Sequence, residues 1–133
     1  MKPLPLLTAP YAAVMGLLAA GLTANVIANR VRSRIDAGDG GDVRLAQALR
    51  AHGNFVEQAP LALILLAAAE ISGVRPLLIQ GLGVALVAAR LASAYALNRS
   101  LAQSLLRQFG GGISVLIAAI ASVAILLALT GIA

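Results

Sequence analysis

The chain has 133 residues, of which 60% are hydrophobic and 11% charged, too few polar groups to clothe a water-soluble domain. With no cysteine and a single histidine, His52, it cannot form disulfides, a cysteine nucleophile, thiolate metal ligands or a multi-histidine metal centre. Its net charge of +5 lies mostly in residues that flank apolar stretches, which fits topology determinants far better than nucleic-acid binding.

The expected architecture is an all-α integral membrane four-helix bundle with antiparallel, up-down connections, forming one domain over residues 1–133. The first helix spans about 6–28. It is too long for a signal peptide, and Arg30, Arg32 and Arg34 follow it like a stop-transfer flank, so it reads as a retained membrane helix. Ala12, Gly16, Ala20, Ala24 and Ala28 recur every four residues as a ridge that lets another helix approach closely. A polar loop follows to Asp42. Its carboxylates Asp36, Asp39 and Asp42 lack the ligand order of an EF-hand, so the segment reads as a turn, with Asp42 placed to cap the next helix.

The second helix covers about 43–71. Some 28 residues rise roughly 42 Å, more than the roughly 30 Å hydrocarbon core, so its first turns project among the head groups. That puts Arg44 in the interface, Arg50 near its inner edge and Glu57 deeper. Pro60 removes a backbone hydrogen bond to the Val56 carbonyl, which predicts a kink just past Glu57. A turn at 72–76 leads into the third helix, about 76–97, and the fourth covers about 105–130.

Arg50, Asn54 and Glu57 stand at i, i+4 and i+7 on one helix face, and Gln47 extends the stripe. A charge deep in a membrane helix costs about 2.5–3.5 kcal/mol on insertion scales, and so points to function or to a compensating partner. A cation, an amide and an anion in register suit a small zwitterion, or a structural ion-pair network. Arg90 in the third helix is the deep cation able to pair with Glu57. His52 lies about 200° round the helix from Arg50, away from the stripe.

Arg30, Arg32, Arg34, Arg44, Arg99 and Arg107 flank the first and third loops, against Lys2 and Arg75 on the other side. This places those loops in the cytoplasm and both termini outside. The stripe then opens toward the cytoplasmic face together with Arg30, Tyr95 and Arg107, so four helices bring their unusual residues to one leaflet. A chain this small encloses little alone, so a site of any size calls for neighbouring subunits.

The stretch Leu49-Arg-Ala-His-Gly-Asn-Phe-Val-Glu-Gln-Ala-Pro60 resembles the membrane-associated proteins in eicosanoid and glutathione metabolism, the MAPEG family, whose second helix carries Arg-x3-Asn-x2-Glu. Length, layout and the polar first loop are similar to the family's bacterial branch. The resemblance implies a homotrimer in the bacterial inner membrane that binds glutathione between subunits near the cytoplasmic side. Arg50, Asn54 and Glu57 would then be glutathione ligands, with Gln47, Tyr95 and Arg90 beside them; Tyr95 reads equally as part of an interfacial aromatic belt. An arginine would lower the thiol pKa, with Arg107 and Arg30 as the candidates. Each of these also reads as a snorkelling interfacial anchor.

The implied function is a glutathione-dependent transferase or peroxidase acting on small lipophilic electrophiles that enter from the membrane lipid. The alternative is a non-catalytic glutathione- or lipid-binding scaffold of the same fold. The chain departs from the family's eicosanoid-making members in having Gln58 after the signature glutamate and only Tyr95 in the third helix, so an eicosanoid product is unsupported. A small multidrug transporter would carry its glutamate in the first helix, which here has no acid.

Overall fold

A computed structural model describes residues 6–99 and 105–131, the side chains of 105–110 excepted. Its elements are α1 (Ala9–Ser33), α2 (Val43–Ile71), α3 (Pro76–Arg99) and α4 (Leu105–Leu129), and all four are long and apolar enough to cross a membrane. The molecule is an all-α four-helix membrane bundle. α2 and α3 form its centre, each touching the other three helices, while α1 and α4 do not meet among the described residues.

The sequence pattern explains this arrangement. α2 buries Leu45, Ala48, Ala51, Phe55, Ala59, Ala62, Leu66 and Ala69, a stripe with a period near 3.5 residues. Five of these eight are alanine, so neighbouring backbones approach closely, which is what holds helices together where lipid is as apolar as the core. α1 buries only Met15 and Leu22 and is a rim helix. Its small-residue ridge faces outward: Ala12, Gly16, Ala20, Ala24 and Ala28 are all exposed, so any close helix approach along it comes from outside the protomer. Gly83 of α3 faces inward and takes the Tyr11 ring, which a Cβ at that position would meet at 2.5 Å. The Tyr11 hydroxyl donates to the Gln80 carbonyl at 3.3 Å.

α1 runs five residues past its expected end. An apolar stretch marks the hydrocarbon edge, whereas arginine is a good helix former and cations complement the negative C-terminal end of the helix. Arg30 and Arg32 occupy the last turn, which closes at Arg34 in a left-handed conformation with its amide bonded to the Arg30 carbonyl at 2.8 Å. α2 is assigned as helix straight through Pro60.

Asp42 caps α2 as expected, accepting from the Leu45 amide at 2.8 Å, and also accepts from Arg32 at 2.7 Å. The Arg32 hydrogen bond, helped by the Leu45 amide, holds its carboxyl below the ordinary value of 3.8. A group whose pKa falls on folding stabilises the fold above its unfolded pKa and loses that contribution as pH falls through the folded value. The protection of the Leu45 amide, its exchange rate relative to the intrinsic rate at the same pH, should therefore hold at neutral pH and fall as the pH drops below the ordinary carboxylate range. That loss of protection should vanish in Asp42→Asn.

At the opposite end of the bundle, Glu70 caps α1 across the fold. Its carboxylate accepts from the amide of Leu7, from the Thr8 amide at 3.0 Å and from the Thr8 hydroxyl at 2.7 Å. Thr8 is buried and gives no side-chain cap of its own, so Glu70 supplies the anion that a helix N-terminus favours. Glu70→Ala should lower the thermal midpoint in detergent by several degrees, and Glu70→Gln should recover part of the loss. An unchanged midpoint in both would show that the clamp contributes nothing.

Candidate functional site

Helical geometry divides the α2 stripe between two environments. Arg50 and Glu57 are exposed on the outer face, separated along the axis by about 10.5 Å, while Asn54 is half-buried at the inner edge. Neither Arg50 nor Glu57 makes a hydrogen bond or ion pair with a described residue, and the described ion pair is Arg32–Asp42. Two opposite charges thus point out of a membrane span with nothing among the described residues of their own protomer to meet them.

The expected Glu57–Arg90 pair does not form. Arg90 is 1% exposed, the largest fully buried side chain, and its Nη1 donates to Asn54 Oδ1 at 3.2 Å and to the Asn54 carbonyl at 3.5 Å. Its Nη2 donates to Ser93 Oγ at 3.5 Å. The cause is angular: Glu57 lies on the outward face of α2, whereas Arg90 approaches that helix from within the bundle. Arg90 therefore bears on the stripe through Asn54. A guanidinium only donates, so it fixes the amide's oxygen inward and leaves the amide's two N–H donors for another acceptor.

Gln58, the residue after Glu57, turns toward α4, where its Nε2 lies 3.9 Å from the position of a Gly111 Cβ. Its Oε1 is buried without a donor among the described residues.

The arginine candidates part company. Arg30 Nη1 donates to the carbonyls of Ile35, Asp36 and Gly38 at 3.1, 2.9 and 3.3 Å, tying down the loop after α1. Gly38, Gly40 and Gly41 carry positive φ angles there, a conformation other residues resist. Arg107 lies in the first turn of α4, and its side chain falls outside the described residues. Tyr95 is 57% exposed near the end of α3, with the Arg99 guanidinium 4.8 Å from its ring centroid, a cation–π contact. His52 is half-buried.

Gln47 belongs to a polar cleft of about 360 Å³ that it lines with Asn25, Asn29, Arg44 and Asn98. Asn25 Nδ2 donates to Asn98 Oδ1 at 2.8 Å, and Asn29 Nδ2 donates to Asn25 Oδ1 at 3.1 Å and its carbonyl at 2.9 Å. Sequence reasoning missed this asparagine cluster. The signal was present in Asn25 and Asn29, four residues apart on one face of an apolar helix, where unsatisfied amides are costly.

Comparison with known proteins places these features in a wider group. The model of the MAPEG family matches residues 8–127. The inner membrane protein YecN of Escherichia coli strain K12 is 33% identical over 96 residues, which is 72% of this chain and 73% of that protein. YecN of E. coli O6:H1 is similar to the same extent.

Proposed function

This chain belongs to the MAPEG family, and from that premise we propose that it is a glutathione-dependent transferase or peroxidase acting on small lipophilic electrophiles. It is a multi-pass inner membrane protein, in keeping with its four apolar helices and its likeness to YecN. In this reading three copies assemble, with glutathione held between neighbouring protomers near the cytoplasmic face. The observation that carries the proposal is the pair of charges Arg50 and Glu57, without a partner among the described residues, on the outer face of α2 with the donor end of Asn54 between them.

The donor set fits the ligand. Glutathione offers two carboxylates and an ammonium, and supplies the nucleophilic sulfur when bound. Arg50 presents a planar fork to a carboxylate, and Asn54 donates to a second carboxylate or a peptide carbonyl. Glu57 takes the ammonium, so the tripeptide is gripped at both charged ends. An arginine near the sulfur holds the thiolate by opposite charge, a role assigned first to Arg107. Tyr95, exposed near the end of α3, donates to the ligand from its hydroxyl. The outward small-residue ridge of α1 supports assembly, since it leaves room for a helix of another protomer.

A second reading is a glutathione- or lipid-binding scaffold without turnover. Arg30 favours it, because three loop carbonyls already occupy one of its guanidinium nitrogens. Purified protein in detergent separates the two readings. The enzyme should bind glutathione, develop the ultraviolet absorbance of a thiolate, and conjugate a model aryl halide or reduce a lipid hydroperoxide. Arg107→Ala should abolish the thiolate band while leaving glutathione bound. Glutathione binding with no thiolate band and no turnover would establish the scaffold reading, and no glutathione binding at all would end the enzyme reading.

A further inference from the structure

Two adjoining cavities, each about 370 Å³, run along one side of the bundle at the end away from the polar stripe. They share the walls Leu78 of α3 with Ala124 and Leu127 of α4. One opens at the α2–α3 turn, Ser72 to Arg75; the other continues between α3 and α4 past Val123 and Ile120 to Ala119, without a polar group. From Ala128 to Ala119 the trench follows nine residues of helix, about 13–14 Å. That is close to the depth of one leaflet, half of the roughly 30 Å hydrocarbon core.

The mouth of the trench carries an uncompensated cation. Arg75 is exposed and makes no hydrogen bond or ion pair with a described residue, and the Ser72 hydroxyl is also unengaged. The carbonyls of Ala68, Glu70 and Ala69 near the end of α2 already accept from the amides of Ser72, Gly73 and Val74. Glu70, the acid at this end, is occupied by Leu7 and Thr8. α3 begins at Pro76, so its positive N-terminal end adds to the same field.

We propose that this trench is a binding site for an anionic phospholipid, with one acyl chain between α3 and α4 and the head-group phosphate on Arg75 and Ser72. A second copy of the chain fits less well. Of its five acidic side chains, Asp36, Asp39 and Asp42 belong to the far end, Glu57 is mid-span and Glu70 is engaged, which leaves no free acidic side chain for Arg75 among the described residues. The site is independent of the glutathione reading and survives its failure.

Native mass spectrometry of the full-length protein, with phosphatidylglycerol and phosphatidylcholine of identical chains, tests the head-group contact. Phosphatidylglycerol should be retained about fivefold better, the effect of one basic residue near an anionic lipid. Arg75→Gln, a surface change, should erase the preference. The acyl contact is tested by fluorescence. The chain has no tryptophan, so exposed Val123→Trp installs a single reporter, which lipid brominated on the acyl chain should quench more strongly as phosphatidylglycerol than as phosphatidylcholine. Equal retention of the two lipids, a preference that survives Arg75→Gln, or displacement of lipid by inorganic phosphate alone would overturn the proposal. So would a Val123→Trp reporter shielded from lipid quenching by a neighbouring protomer.

Discussion

Glu57→Gln should weaken glutathione binding by about 10- to 100-fold in calorimetric titration, with the protein still folded. The substitution keeps size and shape and removes only the charge, so the loss reports the contact with the ligand ammonium. A hydrogen bond to a charged group contributes about 1.5–3 kcal/mol, and the glutamine that replaces Glu57 keeps a neutral acceptor, which favours the lower and middle part of that range. Unchanged affinity would remove Glu57 from the site. Glu57→Leu adds a test of sign. A lone carboxylate in a membrane span is costly, so replacing it with an apolar side chain should raise the thermal midpoint while abolishing binding. If Glu57 instead belonged to a structural ion-pair network between subunits, the same change would destabilise the protein. The first outcome is expected because Glu57 is exposed and has no partner among the described residues of the protomer.

Period and hydropathy were enough to find the four helices, because a membrane span must be long, apolar and internally hydrogen-bonded. They did not find where α1 ends. Arg30 and Arg32 continue the helix into the head-group layer, where apolar content has no bearing on helix formation. The α2 stripe was legible for a similar reason, since residues four and three apart share a face whatever else the bundle does. Which side of that face looked inward was not. The inward position of Asn54 and the outward positions of Arg50 and Glu57 depend on how α2 rolls against α3, set by the alanine seam from Ala48 to Ala69. The reach of Arg30 into its own loop was equally hidden, since it depends on how the backbone turns after Arg34 and brings the carbonyls of Ile35, Asp36 and Gly38 to one guanidinium nitrogen. The ridge on α1 was legible as a stripe of small residues, but not its outward direction, because spacing within a helix does not say which neighbour it meets.

Arg90 carries the other large effect. Truncating it to alanine opens a cavity beside Asn54 and Ser93 and strips both of a charged donor, so Arg90→Ala should cost about 3–5 kcal/mol or prevent accumulation in the membrane. Arg90→Met separates packing from positioning. Methionine fills much of the same volume without a charge, and replacing a buried charge by an apolar side chain of similar size is often close to neutral. The thermal midpoint of Arg90→Met should therefore stay near that of the wild type. Glutathione affinity should nevertheless fall several-fold, because Asn54 loses the donor that holds its oxygen inward and its amide is free to turn over. Adding Asn54→Ala to Arg90→Met should then cause little further loss, since the two side chains act as one unit. A folded Arg90→Met that binds glutathione as well as the wild type would show that the guanidinium only fills space. In that case the orientation of Asn54 would have to come from the ligand itself.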